Sequence, residues 1–281
     1  PQGLSTQVPR ILAALAALMV ALGVIFWLAA IWGNLPRTGQ FALLQGVVLL
    51  AGLGALLRPG VTRAPLALLT LLAMGGLFAF FGQTYQTGAD PWQLFALWAA
   101  LTLPLVWAVR SDLVWAPWVL VAMTGVSLWG HASVGRVWRF DANDADVQAI
   151  TCLAAAAVVL LVGRKLQHVT GAGLWALRLA AWLFVSMVTL LGLFGLSVFS
   201  NQPVAPQYWV SLMVVAAACG WFASRPGYDL LALSVAALGL NVLVVAGLAR
   251  WLFKSNQGDA TGTVLMLGLV AAGALAATVS L

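Results

Sequence analysis

The chain has 281 residues, 63% of them hydrophobic and 7% charged, with a mean hydropathy of +1.02. A soluble domain carries about 25% charged residues, so this composition excludes a water-soluble globular protein. The net charge of +6 does not indicate nucleic acid as a partner: the 13 Lys and Arg stand singly or in pairs at the ends of apolar runs, where membrane topology puts them, and form no single basic patch.

Apolar runs of about 17–20 residues recur, long enough to cross a bilayer as helices. They lack the apolar–polar alternation of barrel strands. The fold class is therefore all-α, a polytopic transmembrane helical bundle, and residues 1–281 read as a single integral membrane domain. After a short tail, residues 1–10, ten spans are predicted: Ile11–Ile31, Gly39–Leu57, Pro65–Phe81, Trp92–Val109, Leu113–Gly130, Val147–Gly163, Leu174–Phe199, Tyr208–Ala223, Leu230–Ala249 and Gly262–Leu281. The joints carry helix-stop signals, such as "NLPR", "RPGVTRAP", "GADP", "RSD", "QPVAPQ" and "RPGYD". Pro117 reads as a first-turn proline, and Pro104 as a kink inside its span. The chain opens at Pro1 without a Met and stops at Leu281 inside an apolar run, so a further short segment is expected beyond each end.

Ten spans put both termini on one side. That side takes eight cations, Arg10, Arg58, Arg63, Arg110, Arg164, Lys165, Arg178 and Arg225, against five on the other, Arg37, Arg136, Arg139, Arg250 and Lys254. Both termini are therefore predicted to be cytoplasmic. Trp32, Trp92, Trp115, Trp118, Trp138, Trp209 and Trp251 lie near span ends, where indole rings favour the headgroup region. Trp98 and Trp182 sit deeper and are expected between helices. Ala13, Ala17 and Ala21 in the first span, and Gly268, Ala272 and Ala276 in the last, repeat every fourth residue, a spacing that lets helix backbones approach.

An internal repeat is suggested by "LFAFFGQTYQTGADPWQLFALW" and "LFGLSVFSNQPVAPQYWVSLMV", about 115 residues apart, and by "RSDLVWA" against "RPGYDLLA". The period covers four helices, so it would be a parallel repeat, with halves near 39–146 and 147–281. It would make Gln83–Asp90 and Asn201–Gln207 equivalent outer joints.

The most unusual joint is "FFGQTYQTGADPW", Phe80 to Trp92. Two readings stand. In one it is a capped turn, with Gly82 and Gly88 relaxing the backbone, Asp90 as N-cap and Pro91 at the first helical position. In the other it is the mouth of a polar pocket: Gln83, Tyr85, Gln86 and Asp90 supply hydrogen-bonding groups, and Trp92 and Trp98 form aromatic walls. Asn201 and Gln202 at the equivalent joint, and Asn241 within the ninth span, are secondary candidates.

"LGVIFWLAAIWGNLPR" followed by "FFGQTYQTGADPWQLFALWAALTLPL" resembles the bacterial membrane-protein family of domain of unknown function 2157. The matching positions are Gln83, Tyr85, Asp90, Leu94, Phe95 and Trp98, over about Leu22 to Gly130. Family members often carry a His after the Tyr, where this chain has Gln86, which weakens any proton-transfer role. The resemblance implies the bacterial inner membrane and supplies no reaction.

Catalytic signatures are absent: there is no P-loop, no paired-His motif and no nucleophile elbow. All seven acids are Asp. Asp141, Asp144 and Asp146 lack EF-hand spacing and read as a solvated loop. Cys152 and Cys219 read as packed thiols, and Arg178 as a snorkelling cation. No catalytic residue, metal site or cofactor is predicted. The reading is a multipass protein that binds or transports a small molecule or lipid through an outward-facing polar pocket. The alternatives are a scaffold for other membrane proteins and, lowest, an enzyme acting on lipid-linked substrates. Expected partners are membrane lipids, with a second copy or another membrane protein as further candidates, and no nucleic acid.

Overall fold

The computed structural model describes residues 32–57, 60–85, 88, 90–134, 145–196, 203–224 and 227–255, with positions 19, 30, 268, 272 and 273. Among these residues the regular structure is helical, with no strand. The helices are α1 (Arg37–Leu57), α2 (Arg63–Tyr85), α3 (Pro91–Val109), α4 (Asp112–Val134), α5 (Ala145–Leu161), the single turn α6 (Gln167–Thr170), α7 (Leu174–Leu196), α8 (Pro206–Ala223) and α9 (Leu230–Ser255). Hydrocarbon cannot hydrogen-bond a backbone, so a segment this apolar satisfies its N–H and C=O groups internally, as helix. Six helices, α1, α2, α3, α4, α7 and α9, are long and apolar enough to cross a membrane. At two further predicted spans, α5 has only 17 residues, and α8 gives its first turn to Pro206, Gln207, Tyr208 and Trp209. The predicted spans Ile11–Ile31 and Gly262–Leu281 lie almost wholly outside the described residues.

Two cores fill the bundle. One joins Leu71 of α2, Val106 of α3, Trp115 and Val119 of α4, Ala155 of α5 and Ala176 and Ala180 of α7. The other joins Ala181, Val185 and Val188 of α7 to Tyr208 and Val215 of α8 and Ala236 and Leu243 of α9. Helix α7 thus belongs to both, and its small side chains are the reason it can. Trp98 packs between helices as expected, its indole N–H donating to the Leu71 carbonyl at 2.8 Å. A Cβ on Gly75 would collide with the Trp98 ring, so the bare backbone of α2 is what admits the indole.

Several expectations are corrected. Trp115 and Trp118, expected as rings at the membrane interface, are buried between helices; their N–H groups donate to the carbonyls of Thr170 and Ala99 at 2.8 and 2.9 Å. Paired in this way, an indole fills a wide helix gap without leaving a polar group unsatisfied. Trp182, expected inside, is 51% exposed, because α7 turns Ala181 and Val185 inward and leaves position 182 on the outer face. Pro117 lies in the second turn of α4, which begins at Asp112.

One end of the bundle is tied by charged side chains placed on helix termini. Asp112, in the first turn of α4, accepts the N–H groups of Gly173, Trp175 and Ala176 at 3.0, 2.9 and 2.9 Å. These include N–H groups of the first turn of α7, which no helical carbonyl can satisfy and which carry the positive end of the helix dipole. Arg63 does the reverse: its guanidinium donates to the carbonyls of Ala55 and Ala108, near the C-terminal ends of α1 and α3. Arg110 closes α3 in the left-handed region at φ 56° and donates to the His168 carbonyl. A Cβ on Gly171 would strike Arg110, and one on Gly173 would strike Asp112, so two glycines let this loop dock.

Arg178 does not snorkel. Its Nε donates to both oxygens of Asp229 at 3.0 and 3.2 Å, and Arg164 stands 3.8 Å from the same carboxylate. Asp229 is 4% exposed and also accepts the Ala232 N–H, capping α9. Burial pushes the Asp229 carboxyl up, but the Ala232 N–H, the Arg178 hydrogen bond and the charges of Arg178 and Arg164 outweigh it and hold its pKa below 3.8.

Three outcomes are expected in detergent. Gly75→Ala overpacks against Trp98 and lowers stability by about 1–3 kcal/mol, read as a lower melting temperature. Asp112→Ala strips three N–H groups of their acceptor and costs about 1–3 kcal/mol, while Leu113→Ala on the exposed side costs less, a ranking that thermal melts check. Because its pKa is depressed on folding, Asp229 contributes stability that is fully present above about pH 4 and is lost as pH falls through its folded value. Acid titration of unfolding therefore shows a steeper loss below about pH 4 in the native chain than in Asp229→Asn.

Candidate functional site

The Phe80–Trp92 joint is built by the end of α2 and the start of α3. The Thr84 hydroxyl donates back to the Phe80 carbonyl at 2.7 Å. Tyr85 is 58% exposed, with its ring centroid 4.9 Å from Phe81 and 5.9 Å from Phe41. It ends an aromatic cluster that continues through Phe80 to Trp32, at a ring-centroid distance of 5.5 Å. Gln83 is exposed on α2. Asp90 takes the N-cap position of α3 with Pro91 next to it, but its carboxylate makes no cap hydrogen bond. Gly88 has φ +66°, the left-handed geometry expected of the turn, whereas Gly82 lies inside α2 and forms no part of the turn. Trp92 is half-buried; Trp98 is held in the α2–α3 interface by its bond to Leu71. Gln86 lies outside the described residues. The aromatic members thus divide, Tyr85 joining α1 and Trp98 pointing into the bundle.

At the second joint, Asn201 and Gln202 lie outside the described residues, and Asn241 is half-buried on α9. Beside this joint the structure opens a cavity of about 690 Å³ between the end of α7, the start of α8 and the end of α9. Pockets that take small molecules measure about 300–1,000 Å³. Leu196, Val204, Leu212, Val244 and Leu248 make its walls apolar. Trp209 and Trp251, both exposed, flank it, and Arg250, 6% exposed, supplies a charge.

The chain builds this space with few devices. The Ala205 N–H donates to the Gly195 carbonyl at 3.0 Å, fixing the start of α8 against the end of α7. Tyr208 is buried, and its hydroxyl donates to the Leu243 carbonyl at 3.0 Å. A side chain at Gly247 would collide with that hydroxyl. The sequence reading missed Tyr208, Gly247 and Arg250 as a group. A signal was present: Val244, Gly247, Leu248 and Trp251 follow helical i, i+3, i+4, i+7 spacing on one face. Arg250 had been counted only as a topology marker.

A smaller space of about 30 Å³, enough for roughly one water molecule, lies between apolar residues such as Val134 and Met187 and the polar Ser127, His131, Gln148 and Thr151. The Oε1 atom of Gln148 is buried there without a hydrogen-bond partner. Among the described residues no three His, Cys, Asp or Glu side chains are grouped to hold a metal.

No curated protein and no solved structure matches the chain. A family match does exist. It covers the Phe80–Trp92 joint and leaves α7, α8, α9 and the cavity between them outside. It extends closer to the N-terminus, and less far along the chain, than the Leu22–Gly130 stretch on which the resemblance was read. Residues 2–115 match the family described as "Predicted membrane protein (DUF2157)", a membrane-protein family of unknown function, and this agrees with the resemblance carried by Gln83, Tyr85, Asp90 and Trp98.

Proposed function

We propose that the protein is a multipass protein of the bacterial inner membrane that binds a small molecule or lipid through an outward-facing pocket, and that the α7–α8–α9 cavity is that pocket. The observation that carries this reading is a cavity of about 690 Å³ with a largely apolar wall, lined also by the buried Arg250, within the size range of small-molecule pockets.

Its sidedness rests on the opposite end of the bundle. Arg63, Arg110, Arg164, Lys165 and Arg178 gather there, at the joints before α2, after α3 and around α6 and the start of α7. Cations concentrate on cytoplasmic joints, so the cavity end faces outward. The ten-span topology with both termini cytoplasmic belongs to this reading. So does the parallel repeat, whose proposed counterparts "RSDLVWA" and "RPGYDLLA" contribute Asp112 and Asp229 to the same end of α7. In it the exposed Gln83 and Tyr85 form a second, outer recognition surface on the family-matched part of the chain.

Mass spectrometry of the intact protein, released gently from membranes, tests the pocket. Val244→Trp, which fills the cavity, is expected to lower the amount of co-purifying small molecule or lipid several-fold, and Gln83→Ala with Tyr85→Phe to leave it unchanged. The reverse pattern would move the site to the first joint. Equal occupancy in all three proteins, with another membrane protein co-purifying, would favour the scaffold reading.

A further inference from the structure

Given that the cavity is a binding site, we infer that its occupant is an anionic phospholipid, with the headgroup phosphate on Arg250 between Trp209 and Trp251 and the acyl chains along Leu212 and Val244. Three observations converge on that chemistry. The first is the position of the cavity. It lies where α7 ends, α8 begins and α9 ends, so it sits at the level of one membrane surface. The exposed rings of Trp209 and Trp251 at its edge are the kind that settle among headgroups.

The second is the wall. Leu212 and Val244 continue the apolar lining along α8 and α9 toward the interior of the bundle. Met213, next to Leu212, is exposed on the outer surface of α8, an apolar face suited to hydrocarbon. A ligand entering from there arrives with chains.

The third is charge. Arg250 is 6% exposed and lines the cavity. Arg250 also has an interaction within the protein. Five N–H donors in a planar fork can serve both that interaction and a phosphate, which the fork matches in geometry. In an apolar wall the charge-assisted contact is stronger than it would be in water. A zwitterionic headgroup presents the same phosphate with a cation attached, so it would bind less well beside Arg250.

The test uses the full chain in mixed detergent micelles, with phosphatidylglycerol, phosphatidylcholine and free glycerol phosphate as probes, and retained lipid counted by native mass spectrometry. About tenfold tighter retention of phosphatidylglycerol than phosphatidylcholine is expected. The preference should vanish in Arg250→Gln and largely return in Arg250→Lys, and glycerol phosphate should not compete. Equal retention of the two lipids by the native chain, with both reduced in Val244→Trp, overturns the anionic assignment and leaves the pocket standing. Retention unaffected by Val244→Trp overturns the pocket itself. Full competition by glycerol phosphate overturns the lipid in favour of a soluble phosphate compound. If Arg250→Gln fails to fold, the preference measured in the native chain still decides.

Discussion

The first turn of α7 carries N–H groups that neither its own helix nor a lipid phase can satisfy. Asp112 takes three N–H groups at this end, two from the turn itself and one from Gly173 just before it. On the other side of the same helix end, Arg178 reaches Asp229, which in turn starts α9. The two carboxylates come from distant joints and hold one helix between them. Because α7 contributes to both hydrophobic cores, the relative placement of α1–α5 and α8–α9 depends on that pair of contacts. Apolar packing alone could not set it: between helices in lipid there is no hydrophobic gradient to drive one face inward, so close approach and polar bonds must specify the partners.

The same logic explains where the glycines matter. Gly75 admits the Trp98 ring, and Gly171 and Gly173 admit Arg110 and Asp112. In each case a missing side chain lets a large or charged one reach a backbone carbonyl or N–H. The guanidiniums of Arg63 and Arg110 go to carbonyls at helix C-terminal ends, and the carboxylates of Asp112 and Asp229 to helix N-terminal amides, which is the arrangement the helix dipole favours. Arg110, Arg164 and Lys165 nevertheless remain exposed at that end of the bundle.

How much of this was legible beforehand follows from which signal each feature leaves. Helices leave composition and length, so α1 to α4, α7 and α9 could be read within a few residues, and Trp98 could be assigned to an interface. Partnerships across helices leave none. Arg178 looked like a snorkelling cation because its partner, Asp229, is 51 residues away and enters only through the folding of α8 and α9. Trp115 and Trp118 looked like headgroup anchors because they stand near a predicted span end. Their burial is set by carbonyls on α3 and beside α6, which proximity in sequence does not reveal. Trp182 erred in the opposite direction: depth was right, but the face depended on which neighbours α7 has. At the polar joints the residue types were visible and the shape was not. Gln83 and Tyr85 drew attention by being polar in an apolar chain, whereas the cavity beside the second joint is made mostly of Leu and Val around a single buried arginine.

The two ends of α7 are fastened by different kinds of contact. The helix has 23 residues, about 35 Å at 1.5 Å per residue. Its base is held by charged contacts through Asp112 and Arg178, whereas its tip, at Leu196 in the cavity wall, is held by the neutral Gly195–Ala205 backbone bond and by apolar packing. A guest in the cavity would therefore press on the end that carries no ionic clasp, a full helix length away from where the charges meet.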